Sequence, residues 1–116
     1  PLGEHSIEQK IGDGCASDEV FVGRQPQGLL SHLQASGTVL PEDISTARIL
    51  RLQGRQPGIN QGDGIDSYQR YIYIHGTADE ASIGLPASHG CVRMRNDDVI
   101  EVFGQVESGG RVTIQV

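Results

Sequence analysis

The chain has no run of basic residues, no apolar stretch long enough to cross a bilayer and only two cysteines. Each shortage removes a class of function. Acidic residues outnumber basic ones 15 to 9, for a formal net charge of -6, so the electrostatic footprint of a nucleic-acid binder is missing. A solvated acidic surface accounts for this balance. No segment approaches the roughly 20 apolar residues of a transmembrane helix. There is no Cys-x-x-Cys pair and no His-Glu-x-x-His helix, the spacings that most often announce a zinc site. Asp63-Gly64-Ile65-Asp66 hints at a calcium loop but lacks the downstream glutamate of an EF-hand, so it reads as an ordinary turn. Internal repeats and low-complexity tracts are absent, and neither a signal peptide nor an initiator methionine indicates a compartment.

What remains is one small domain of 116 residues with a single core, spanning residues 1–116. Its 16 glycines are about twice the usual share of ~7%, and valine, isoleucine and threonine outnumber helical patterns. Short strands and turns are therefore expected. Val20-Phe21-Val22, after the Gly12-Asp13-Gly14 turn, reads as a strand, whereas Gln25 to Pro41 reads as mostly irregular. Ile44 to Leu52 is a second strand candidate, with Arg48 and Arg51 on opposite faces. Gly54 to Asp66 reads as a long loop of the kind that often borders a site. Arg70 to His75 gives the clearest strand, with Ile72 and Ile74 towards the core and Tyr71, Tyr73 and His75 on the other face. Asn96 is placed as a helix N-cap with Asp97 and Asp98 in the first turn. Val99, Phe103 and Val106 follow at helical spacing, Ser108-Gly109-Gly110 ends the helix, and Val112, Ile114 and Val116 alternate in a last strand.

Chemistry concentrates in Ser88-His89-Gly90-Cys91-Val92-Arg93-Met94 and in His75-Gly76, which closes the apolar run Tyr71 to Ile74. A cysteine at its ordinary pKa is mostly protonated at neutral pH. Thiol chemistry therefore needs an imidazole to take the proton and pass it to a leaving amine. A lone buried cysteine is usually a small core residue and a lone histidine a satisfied polar group. Here two imidazoles, two glycines and an arginine surround one thiol, and such groups would need buried partners if the segment were core. Gly76 and Gly90 would let backbone groups approach a reacting carbonyl. A bridge from Cys91 to Cys15 would abolish this chemistry, so both read as thiols.

These residues resemble the signature of the L,D-transpeptidase catalytic domain, the YkuD-like family of bacterial cell-wall enzymes. The resemblance extends to Pro1-Leu2-Gly3, Lys10 to Gly14, Arg48-Ile49-Leu50 and Asn96 to Ile100. It implies a mostly β protein, a β-sandwich of mixed sheets with one short helix. It also implies Cys91 as nucleophile, His75 as base with the Gly76 carbonyl orienting its ring, and His89 supporting the thiolate. Amides around His89, Gly90 and Cys91 would form the oxyanion hole. Arg93 would bind a substrate carboxylate or hold the site together, with Ser88 and Tyr73 as further substrate contacts.

The reaction so implied is acyl transfer from a peptidoglycan tetrapeptide stem with release of D-alanine, needing no cofactor and no metal. The acceptor would be another stem or a lipoprotein, and the location the periplasm or cell envelope. Water as acceptor would make the same site an L,D-carboxypeptidase. Family members carry strands earlier than Pro1, so the domain is expected to be truncated at its N-terminus, with a sheet edge open or filled by another chain. The separation of His75 from Cys91, 16 positions, is at the short end of the family range, and Arg93-Met94 replaces an Asn-containing ending found in some members. Three other readings compete. In papain-like or NlpC-like peptidases the cysteine precedes the histidine, the reverse of the order here. A zinc site would use His75, His89 and Cys91, and a non-catalytic cell-wall binding module would have no chemical need for the thiol.

Overall fold

A computed structural model describes residues 1–41, 44–85 and 91–115. Among the described residues, seven strands and two short α-helices follow one another: β1 (Gly3–Ile11), β2 (Glu19–Val22), β3 (Gln25–Leu29), α1 (Leu30–Ala35), β4 (Ser45–Gly54), β5 (Tyr73–Gly76), β6 (Val92–Met94), α2 (Asn96–Gln105) and β7 (Arg111–Ile114). A 3₁₀ turn over Glu80–Ser82 lies between β5 and β6. The mostly β, mixed architecture expected from the sequence is present: every ladder is antiparallel except β5 with β6.

The sheet forks at β4. Thr46 pairs with both Val20 and Gly76, and Ile49 to Arg51 pair with both β1 and β5. A strand residue has only two edges, so β5 follows one edge of β4 while β2 and β1 share the other. The division falls at a bulge around Ala47, whose φ is 68°; bulges bend a strand in this way. Gly12 fits the fork because a side chain there would meet the Ala47 carbonyl and the Phe21 ring. Arg48 then reaches the Cys15 carbonyl and the Phe103 ring, whereas Arg51 stacks on Tyr68 at 3.6 Å.

Ile7, Leu50, Leu52, Ile72 and Phe103 form the buried centre, with Ile74, Val102, Val106, Val112 and Ile114 packed around it. Each such aliphatic or aromatic side chain stabilises the fold by about 1.5–3 kcal/mol relative to exposure. Lys10 seals the far end of α2, its Nζ lying over Phe103 and donating to the Val106 carbonyl at 2.7 Å. That places a cation where the helix carbonyls end.

Three expectations need correction, and one strand goes beyond them. Residues 3–11 form a full strand, hidden because its buried members include His5 and Ser6 and because a bulge after Ile7 breaks the alternation. Gln25 to Pro41 is not irregular at its start. Gly23 and Arg24, with φ of 54° and 74°, make a two-residue turn of the kind that matches strand twist, and β3 follows as an edge strand that tolerates Pro26. Helix α1 is only six residues long and half-buries just Leu30 and Leu33, too short a pattern to read as a helix. The strand expected from Arg70 begins only at Tyr73, because residues 68–71 turn and Tyr71 has φ of 56°. Ile72 and Ile74 nevertheless face the core as expected. Asn96 is the first residue of α2 and not its cap; Arg95 occupies that position without a side-chain capping bond. The Asn96 side chain is instead held by Thr46 and Thr77.

The loop after Gly54 is pinned through Asn60, whose amide donates to the Leu2 and Glu4 carbonyls and accepts from the Gln56 N–H. Asp66 serves as a turn residue, accepting from the Gly62 and Gln69 N–H groups.

Candidate active site

Strands β5 and β6 run parallel in the register Ile74 to Val92, His75 to Arg93 and Gly76 to Met94. Side chains alternate along a strand, so Tyr73 and His75 share a face of β5 with Arg93 of β6, and Cys91 stands at the mouth of β6 on that same alternation. The register therefore puts His75 opposite Arg93 and diagonal to Cys91. It also separates these groups from the core-facing isoleucines.

Cys91 is half-buried. Its Sγ accepts from the Tyr73 N–H and donates to the Tyr71 carbonyl, each at 3.4 Å. The two contacts act in opposite senses: an N–H donor favours thiolate, whereas a carbonyl acceptor favours the thiol. The left-handed backbone at Tyr71 belongs to the turn that presents this carbonyl.

His75 is buried, and its Nδ1 lies 2.6 Å from the Gly76 carbonyl oxygen. A carbonyl can only accept, so Nδ1 carries the proton and Nε2 holds the lone pair of the neutral ring. Burial lowers the His75 pKa below its ordinary 6.5, the charge of Arg93 lowers it further, and the Gly76 carbonyl works against both. The ring is thus kept neutral and able to accept a proton near pH 7.

Gly76 has no room for a side chain, since a Cβ would strike the Thr46 carbonyl and the Asn96 amide. Asn96 links this point to the rest of the site. Its side chain binds Thr46 and the Thr77 carbonyl, while its backbone N–H donates to Glu80 Oε1 at 2.8 Å. Helix α2 is thereby anchored directly behind the His75-Gly76 step. No sequence pattern distinguishes this use of Asn96 from ordinary capping.

Arg93 is partly buried and donates to the Ser82 carbonyl at 3.3 Å, tying β6 to the 3₁₀ turn. Tyr73 is half-buried, and its hydroxyl accepts from Arg24 Nη1 at 3.1 Å. Arg24 comes from the β2 to β3 turn, a distant segment that the sequence reading did not connect with the site. The structure thus brings together Cys91, His75, Gly76, Arg93 and Tyr73. Ser88, His89 and Gly90 lie outside the described residues. Among the described residues, no three His, Cys, Asp or Glu side chains gather as metal ligands would, and no helix is long and apolar enough to cross a membrane.

The β5–β6 register thus sets Cys91 diagonal to a buried imidazole on one face of the forked sheet. The chain belongs to the L,D-transpeptidase catalytic domain family, YkuD, whose family model matches residues 1–114. It is similar to the putative L,D-transpeptidase YkuD of Bacillus subtilis, 58% identical over 81 residues that cover 69% of this chain and 49% of that protein. It is similar also to the putative L,D-transpeptidase YkuD of Bacillus licheniformis, 42% identical over 65 residues, or 52% of this chain and 38% of that protein. The probable L,D-transpeptidase YbiS of Escherichia coli is 51% identical over 43 residues, 37% of this chain and 14% of its own. The chain thus spans about half the length of the first of these relatives and less of the others.

Proposed function

We propose that this domain is a cysteine-dependent L,D-transpeptidase, with Cys91 as nucleophile and His75 as its base. The observation that carries the reading is the His75 ring: buried, fixed through Nδ1 to the Gly76 carbonyl, and on the same strand face as the thiol. Nε2 takes the Cys91 proton as Sγ attacks the L-centre carbonyl of diaminopimelate, or an equivalent residue, in a tetrapeptide stem. The C–N bond to the terminal D-alanine breaks, and the imidazolium returns the proton to the departing amine. An acceptor amine then attacks the thioester, forms the new amide and restores the thiol. Since one amide replaces another, no ATP is needed.

In this scheme His89 supports the thiolate, and backbone amides about His89, Gly90 and Cys91 receive the developing oxyanion. Ser88, Tyr73 and Arg93 contact the stem, and Arg93 has a guanidinium suited to a carboxylate. The acceptor is a second stem or a lipoprotein amine. Such a substrate places the enzyme in the periplasm or cell envelope.

The test is mass spectrometry of a disaccharide-tetrapeptide incubated with the wild type and with Cys91→Ala. Loss of D-alanine with the wild type alone is the expected result. Cross-linked dimer then identifies a transpeptidase, and free tripeptide an L,D-carboxypeptidase. An active Cys91→Ala protein would sink the mechanism. An inert wild type would favour a non-catalytic wall-binding module.

A further inference from the structure

Arg24 is a cation brought to the site from the separate β2–β3 hairpin. Its Nη1 donates to the Tyr73 hydroxyl at 3.1 Å, and its guanidinium lies 5.2 Å from the centre of the Tyr71 ring. Both residues also hydrogen-bond Cys91 through their backbones, Tyr73 by its N–H and Tyr71 by its carbonyl. Cation and thiol are therefore mounted on the same three-residue step.

The protein uses arginine differently where the purpose is packing. Arg51 is buried, stacks on Tyr68 at 3.6 Å, lies 4.9 Å from the centre of the Tyr71 ring and donates to the Tyr68 carbonyl at 2.9 Å. Arg24 is partly exposed, and it lies over a tyrosine ring that is itself 53% exposed. A guanidinium has five N–H donors in a planar fork, and the contact with Tyr73 engages only one nitrogen. On a chain of net charge -6, an anionic ligand needs such a local cation to approach the thiol.

We propose that Arg24, seated on Tyr73 and Tyr71, binds a carboxylate of the acyl donor and selects free-acid stem peptides over amidated ones. It is a second anion contact, separate from Arg93, whose guanidinium is bonded to the Ser82 carbonyl. The choice of substrate rests on the L,D-transpeptidase reading. The anion contact itself does not.

A thiol probe separates the two. In a Cys15→Ala background, the rate at which Cys91 reacts with dithiobis(nitrobenzoate), which carries carboxylates, is divided by its rate with neutral dithiodipyridine. Arg24→Gln should lower this ratio by about threefold to tenfold, the size expected for one partly screened charge. Arg24→Lys should keep most of it. Arg55→Gln, an exposed arginine on the loop after β4, removes the same charge elsewhere and should leave the ratio alone. An unchanged ratio in Arg24→Gln overturns the proposal, and so does an equal fall in Arg55→Gln, which would make the effect one of net charge. Stems with free and amidated carboxyls then follow. Wild type should prefer the free acid through KM, and Arg24→Gln should lose that preference at similar kcat. A ratio that falls with Arg24→Gln while no stem is consumed would leave the anion contact standing and remove the transpeptidase reading.

Discussion

Two polar clusters in this molecule are built from similar residues and do opposite things. One gathers His5, Asn60 and Ser67, all fully buried. His5 Nδ1 meets the Gly3 carbonyl at 3.1 Å and Nε2 meets the Ser67 hydroxyl at 2.9 Å. Asn60 joins the Leu2 and Glu4 carbonyls to the Gln56 N–H. Nearly every donor there has a partner inside the fold, and the cluster fastens the β1 strand to the loop after β4. The other gathers Cys91, His75, Arg93 and Arg24, where a thiol is half-buried, a histidine has its lone pair directed away from its anchoring carbonyl, and two guanidiniums keep donors in hand. Saturation marks the histidine that only holds the fold, and retained capacity marks the one proposed as the base.

The largest expected effect is on the chemical side. His75→Ala should slow thioester formation on Cys91 by about 10²–10⁴-fold, the usual loss on removing a general base, with the unfolding midpoint little changed. Mass spectrometry of the acyl-enzyme reads the rate, and a loss below tenfold would remove His75 from its role. Gly76→Ala comes next and acts on both sides. Its Cβ would collide with backbone at Thr46 and with Asn96, so a destabilisation of about 3 kcal/mol is expected from overpacking, measured by urea unfolding. Thioester formation should fall with it, since the carbonyl that holds His75 is displaced.

Asn60→Ala tests the structural cluster. It strands the Leu2 carbonyl and the Gln56 N–H, while the Glu4 carbonyl keeps the Arg55 N–H, at a cost of about 2 kcal/mol. Its kcat/KM per folded molecule should equal that of the wild type. A stable Asn60→Ala protein with reduced activity would erase the distinction between the clusters.

The same contrast explains what the sequence shows and what it hides. Ile72 and Ile74, and Val99 and Phe103, declare their burial by period, because apolar side chains on one face have only one favourable place to go. Cys91, His75 and Gly76 stand out because thiol, imidazole and glycine occur together where a core would not accept them. β1 stays hidden because its interior is polar and satisfied: His5 and Ser6 read as surface until Ser67 and strand β7 are folded against them. Pro26 disguises β3 in the same way, since only an edge can hold it. Arg24 is beyond sequence reasoning altogether. Its place beside Tyr73 is fixed by a hairpin turn and a fork in β4, which no local pattern encodes.

The smallest effect falls on the pairing of His75 with Arg93. Burial is the main cause that lowers the His75 pKa and the Arg93 charge is the second, and only the neutral ring can accept the thiol proton. The acid limb of thioester formation should therefore lie below pH 6.5. Arg93→Gln removes one of the two causes and leaves burial in place, so the limb should move up towards 6.5 without passing it. Stability carries the same sign. The unfolded imidazole takes a proton at its ordinary pKa while the folded ring refuses it, so the His75 contribution is complete above 6.5 and is lost as pH falls below. In Arg93→Gln that acid loss should still set in at 6.5, but level off nearer to it and be smaller in total. A limb that stays fixed while KM for the stem rises would show that Arg93 acts on substrate and leaves the imidazole to burial alone.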